Sequence, residues 1–71
     1  MKKIELETGG TVWKILTKPG GLVEEGDILF ILEVMKMEVP YEAPISGEVV
    51  AVHIAEGDFV EEDQLALEIA D

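Results

Sequence analysis

The chain repeats itself, and the repeat limits the folds open to it more than any other feature. Shifted by 37 residues, 10-GTVWKILTKPGGLVEEGDILFIL-32 falls on 47-GEVVAVHIAEGDFVEEDQLALEI-69. Gly10 meets Gly47, Val12 meets Val49, Ile15 meets Val52 and Gly20 meets Gly57. Leu22 meets Phe59, and the run Val23-Glu24-Glu25 meets Val60-Glu61-Glu62. Ile28, Phe30 and Leu32 then meet Leu65, Leu67 and Ile69. The apolar positions agree without a gap, which chance does not readily produce. Two copies are too few for a solenoid, so they must close one core between them.

Each half reads as strand, turn, strand. The segments TVWKILT and EVVAVHI are rich in β-branched residues, and 65-LALEI-69 alternates in part, with Leu65, Leu67 and Ile69 on one face. Between the strands lie 18-KPGGLVEEGD-27 and 55-AEGDFVEEDQ-64, dense in Gly, Asp and Glu. These read as turns. Each carries an isolated apolar pair, Leu22-Val23 or Phe59-Val60, that is expected to plug the core. Pro40 and Pro44 bracket YEA, which suits an edge strand or loop better than a central strand. No periodic stretch reaches helical length. The expected fold is all-β, a sandwich or flattened barrel, with residues 1–71 in one domain.

Composition narrows the function. A chain of 71 residues buries only about 60% of its unfolded surface. Aromatic residues are limited to Trp13, Phe30, Tyr41 and Phe59, so the core must be built mainly from Ile, Val and Leu. There is no cysteine, whereas small secreted domains usually lean on disulfides, so a cytoplasmic location is expected. The start MKKIELETGG lacks the apolar segment of a signal peptide. The longest apolar run, 28-ILFIL-32, falls far short of the roughly 20 residues a membrane span needs. A soluble protein with no membrane insertion is therefore expected. The net charge of −11, without any arginine, argues against nucleic acid and anionic membrane surfaces as partners.

The two halves leave 33-EVMKMEVP-40 at their junction, where the chain must reverse. Lys36 is the only basic residue after Lys18 and stands between Met35 and Met37. A tight hairpin with Met35 and Lys36 at its tip fits the flanking apolar runs. Met-Lys is a poor pair for such a turn, because the favoured two-residue turns need positive φ and prefer Gly, Asn or Asp. Met, Lys and Glu even lean towards helix. A conflict between local preference and context points to a functional constraint. Taken in isolation, Met35 and Met37 read as core methionines and Lys36 as an ordinary surface lysine. A Schiff-base lysine would need burial, which a hairpin tip in so small a chain does not offer. An exposed tip lysine is instead well placed for covalent modification by another enzyme.

The residues EVMKME resemble the Glu-Ala-Met-Lys-Met-Glu attachment motif of biotinyl domains, the biotin carboxyl carrier family. The resemblance covers nearly the whole chain and includes the doubled half-motif, the Gly-Asp turns at 26–27 and 57–58, and SGEV at 46–49. It implies a flattened barrel or sandwich of two four-stranded antiparallel sheets with quasi-twofold symmetry. It further implies that Lys36 takes biotin through an amide made by biotin protein ligase. Met35 and Met37 match flanking positions that help ligase and carboxylase partners recognise the hairpin, and Glu33 and Glu38 match further flanking positions. Three positions depart from the family's pattern. Val34 stands where the family usually has Ala or Ser, and its branched side chain stiffens the strand beside the turn. The segment 7-ETGG-10 replaces a common Pro-Met stretch, and Asp63 stands where the first half has Gly26. No insertion resembles the protruding thumb of some bacterial carriers.

By this resemblance the chain is a non-catalytic biotin carboxyl carrier, shuttling a carboxyl group between biotin carboxylase and carboxyltransferase or decarboxylase sites. A start at Met1 with no linker suggests a free-standing, monomeric carrier. Nothing in the sequence supplies an active site. His53 is alone, faces Leu16 in the repeat, and reads as a half-buried strand residue. Glu24-Glu25 and Glu61-Glu62-Asp63 read as solvated loops, poor for a transition metal without Cys or a second His. Two other readings remain. Lipoyl domains share the fold and often carry an acidic residue three before their lysine, as Glu33 is here, so lipoate alone or together with biotin is the first. Met35 opposes it, since those domains usually have Asp-Lys at the tip. The second is an unmodified β-sandwich adaptor, which leaves the Met-Lys-Met tip unexplained.

Overall fold

A computed structural model describes all residues, Met1–Asp71. Eight strands follow one another: β1 (Lys2–Glu5), β2 (Gly10–Ile15), β3 (Leu22–Val23), β4 (Ile28–Val34), β5 (Met37–Glu42), β6 (Gly47–Val52), β7 (Phe59–Val60) and β8 (Leu65–Ala70). They form two four-stranded antiparallel sheets, ordered β1-β8-β6-β3 and β5-β4-β2-β7. No helix is long and apolar enough to cross a membrane. Each sheet takes both its outer strands from the other half of the chain: β1 and β3 flank β8 and β6, and β5 and β7 flank β4 and β2.

The backbone hydrogen bonds outside the regular ladders number 14, and every one has a counterpart at a shift of 37 residues. Leu6 N–H donates to Gln64 at 2.9 Å as Ala43 N–H donates to Asp27 at 2.7 Å. Val12 N–H donates to Asp58 as Val49 N–H donates to Gly21, and Leu16 to Leu29 as His53 to Ala66. The pairing extends to β1 and β5, whose sequences show little likeness, because β1 lies on β8 as β5 lies on β4. The bulges recur as well, between Val12 and Lys14 and between Val49 and Ala51. The architecture is a sandwich with quasi-twofold symmetry.

Fourteen residues are buried and all are apolar; Phe30, Leu6, Leu29, Leu32, Leu67 and Ile69 are the largest. Each such side chain contributes roughly 1.5–3 kcal/mol on burial. The Phe30 ring stacks on Tyr41, centroids 4.7 Å apart. Leu29 and Phe30 are both buried although they are consecutive, and so are Ala66 and Leu67. The register shifts opposite both pairs, and a bulge turns two successive side chains inwards. That is why 65–69 alternates only in part.

Two expectations need correction. The pairs Leu22-Val23 and Phe59-Val60 form short strands, and only Val23 and Val60 enter the core; Leu22 and Phe59 are 83% and 87% exposed. A strand turns alternate side chains to opposite faces, so both members of such a pair cannot plug the core. His53 lies just beyond β6, exposed, where its Nε2 lies 3.0 Å from a Glu68 carboxylate oxygen. The acidic turns are exposed as expected.

The departure at Asp63 has a backbone reason. Asp63 and Gly26 hold the same turn position at φ of 69° and 93°. Glycine takes that region freely, and Asp is among the few other residues that tolerate it. Gly10 and Gly47 are required for a different reason, close approach. A Cβ on Gly10 would lie 2.7 Å from the Glu33 carbonyl oxygen, and one on Gly47 would overlap the Ala70 carbonyl oxygen. Gly47→Ala is therefore expected to destabilise the fold by about 1–3 kcal/mol, read as a lower urea midpoint at unchanged slope.

Candidate functional site

β4 and β5 form a hairpin in strict register from Ile31 opposite Pro40 to Val34 opposite Met37, which leaves Met35 and Lys36 as a two-residue loop. Their φ angles are 51° and 67°. Positive φ at both loop residues is the signature of the type I′ turn, whose twist matches that of the strands it joins. Asn-Gly is the usual occupant, and the left-handed region costs other residues about 1–2 kcal/mol each. The turn that the register demands is thus filled by two residues ill-suited to it.

Met35 is 91% exposed and Met37 68% exposed, so neither is a core methionine. Lys36 is exposed between them and takes part in no hydrogen bond or ion pair with the rest of the chain. Nothing on this chain has to be broken before its amine can react. Glu33 and Glu38 face each other directly across the two strands, both exposed. Like charges in that relation destabilise a sheet, by about 0.2–1 kcal/mol. Thr11 of β2 continues the same cross-strand row to Phe59 of β7. The five residues singled out in the sequence therefore cluster within one hairpin.

Two residues that the sequence did not flag for this site support it. Gly10 lies beneath the hairpin base, and a Cβ there would come within 2.9 Å of Val34 Cγ2. The branched Val34, half-buried against the core, occupies space that a side chain at position 10 would claim. Tyr41 accepts a hydrogen bond from the Glu7 N–H through its hydroxyl, 3.0 Å, while its ring stacks on Phe30. That contact fastens the edge strand β5 to the chain before β2. The repeat match of Gly10 to Gly47 was a signal for the first; nothing in the sequence pointed to the second. No cavity opens anywhere in the molecule, and no acidic or histidine cluster is arranged to hold a metal.

A hairpin that presents a lysine on a closed, pocketless sandwich matches what comparison with known proteins finds. The family model described as biotin-requiring enzyme, covering biotin and lipoyl attachment, matches residues 3–69. The chain belongs to the biotin/lipoyl attachment family. It is 42% identical over 67 residues to the biotin/lipoyl attachment protein of Bacillus subtilis, covering 94% of this chain and 92% of that one. It is 33% identical over 64 residues to the dihydrolipoyllysine-residue acetyltransferase component of a pyruvate dehydrogenase complex from Mycoplasma capricolum, covering 90% of this chain and 15% of that protein. Among solved structures, the urea carboxylase of Kluyveromyces lactis superposes with a TM-score of 0.89 at 35% identity, over 97% of this chain and 6% of that chain. This biotin/lipoyl attachment domain thus resembles both small relatives of about its own length and short stretches of large enzymes.

The strain in the turn is measurable. Replacing Met35-Lys36 with Asn-Gly is expected to raise stability by about 1–2 kcal/mol, seen as a higher urea midpoint. No gain would show that the tip is relaxed as it stands.

Proposed function

We propose that this attachment domain is a biotin carboxyl carrier with Lys36 as its attachment residue. The observation that carries the reading is the Met-Lys-Met tip, with the lysine exposed and unpaired between two exposed methionines on a strained turn. A turn chosen for stability would hold Asn-Gly, and methionines chosen for packing would be buried. Both choices make sense if the tip is a surface read by other proteins. Met35 and Met37 then supply adaptable apolar contact to the ligase and to the carboxylase sites. Glu33 and Glu38 give those partners a charge to recognise. The free carboxylate of biotin fits an exposed primary amine, to which a ligase joins it as an amide.

When bound, biotin supplies a ring nitrogen able to carry a carboxyl group. This chain's residues supply reach and address. The rigid hairpin holds Lys36 clear of the core, and tethering makes the meeting with a second active site effectively intramolecular, at local concentrations on the order of millimolar. With no cavity and no set of paired nucleophile and base, the domain leaves the chemistry to its partners: biotin protein ligase for loading, then biotin carboxylase and carboxyltransferase.

Lipoate is the second reading, and a specific observation favours it: a relative of matching length is named for both cofactors, and Glu33 stands three residues before Lys36. One measurement separates the cases. Intact mass is recorded after incubation with biotin protein ligase, with lipoate ligase and with neither, for the wild type and for Lys36→Arg. Biotin mass on the wild type and none on Lys36→Arg is the expected result. Label that survives Lys36→Arg would refute the site. Lipoate mass alone would replace the biotin reading, and no mass from either ligase would leave a protein-binding adaptor.

A further inference from the structure

We propose that Met35 and Met37 form a reversible oxidation switch that governs loading of Lys36; this rests on the attachment role just argued. The chain has three methionines, Met1, Met35 and Met37, and all three are outside the core, 70%, 91% and 68% exposed. The 14 buried residues are Ile, Leu, Val, Phe and Ala, with no sulfur among them. There is no cysteine to compete for an oxidant. Peroxide therefore meets thioethers at Met1 and at the two residues that bracket the lysine, and only the latter adjoin the attachment site.

The chemistry is a two-electron oxygen transfer. A sulfur lone pair attacks hydrogen peroxide, an S–O bond forms, the O–O bond breaks and water leaves. Methionine sulfoxide reductases reverse it with a dithiol, which becomes a disulfide as the oxygen departs as water, one enzyme serving each sulfoxide epimer. The product is a polar, chiral group in place of a flexible apolar one. Oxidation of a buried methionine would loosen a fold. Here both sulfurs lie beyond the last ladder pair or at the first residue of β5, so the sandwich keeps every core contact. The change is confined to the surface that a ligase must grip. Burying a sulfoxide oxygen in an apolar contact without a hydrogen-bond donor is unfavourable, so the ligase binds the oxidised tip less well.

The test uses the unloaded carrier, because biotin and lipoate carry oxidisable sulfur of their own. The carrier is treated with hydrogen peroxide and freed of it before ligase is added. Peptide mapping should place oxygen on Met35 and Met37, each adding about 16 Da. The loading rate should fall about tenfold or more, the effect of ~1.4 kcal/mol of lost contact, while the melting temperature holds. Sulfoxide reductases with dithiothreitol should restore the rate. The double variant Met35→Leu/Met37→Leu, which keeps Met1, should load at one rate before and after peroxide, whatever that rate is. Equal loading of oxidised and reduced wild type would overturn the switch. So would an equal slowing of the double variant, or a fall in melting temperature that parallels the lost loading. If even the reduced wild type takes up no label, the attachment reading itself fails and the switch with it.

Discussion

The exchange of short strands between the sheets is the constraint on which the rest of the structure depends. Neither half can complete a four-stranded sheet alone, since β3 has its only partner in β6 and β7 in β2. Each exchanged strand has two residues, and one of each pair, Val23 or Val60, seals the core. The turns that lead out of these strands need a left-handed residue at a fixed place, which explains both Gly26 and its unusual counterpart Asp63. They are held by carboxylate or amide caps at matching sites. Asp27 accepts from the Glu24 N–H at 2.9 Å and Gln64 from the Glu61 N–H at 3.0 Å. Glutamate-rich turns that look expendable in the sequence are thus the places where the interlock is made.

The interlock also fixes what the central hairpin is. Under the same 37-residue shift, Val34 corresponds to Asp71 and Glu38 to Met1, so positions 35 to 37 correspond to nothing. The equivalent place lies where Met1 and Asp71 come together. There the amino terminus and Asp71 lie 3.4 Å apart, and both neighbouring hydrogen bonds and the amino-terminal charge hold the Asp71 carboxyl below its usual range. One pair of strand ends closes with an open chain, the other with a two-residue turn. The turn is the single connection in the fold that has no counterpart, and it is free to specialise without disturbing a second copy of itself.

How much of this was legible in the sequence depended on whether the signal was periodic or positional. The repeat marked most core positions of β2, β4, β6 and β8 because burial selects residue type at each copy, but it passed over Leu29 and Ala66, which the bulges turn inwards. It missed β1 and β5, where KKIEL and VPYEA share little beyond one glutamate, since an edge strand is asked only for a few inward residues such as Ile4 and Tyr41. The short strands β3 and β7 were misread as plugs because two residues are too few for a period to show. At the site, Met35, Lys36, Met37, Glu33 and Glu38 were all visible as a motif. What holds the motif in place was not. The fit between Gly10 and Val34, and the reach of Tyr41 to Glu7, are contacts across 24 and 34 residues that no local pattern encodes.

Several local penalties fall on one short stretch, and that coincidence separates the hairpin from a merely structural turn. Two residues sit at positive φ without the side chains that suit it, two glutamates oppose each other, and two methionines expose apolar surface. Each penalty is of order 1 kcal/mol. In a chain of this size total stability is of the same order as their sum. Elsewhere the core is all apolar and no buried side-chain polar atom is unpaired, and Asp63 at positive φ and the exposed Leu22 and Phe59 stand singly rather than together. Drift alone would not gather these three penalties at one end of one hairpin, around the only lysine after Lys18. A structural turn under selection for stability would shed them one substitution at a time. Their coincidence on one exposed surface is what recognition of that surface by another protein would require.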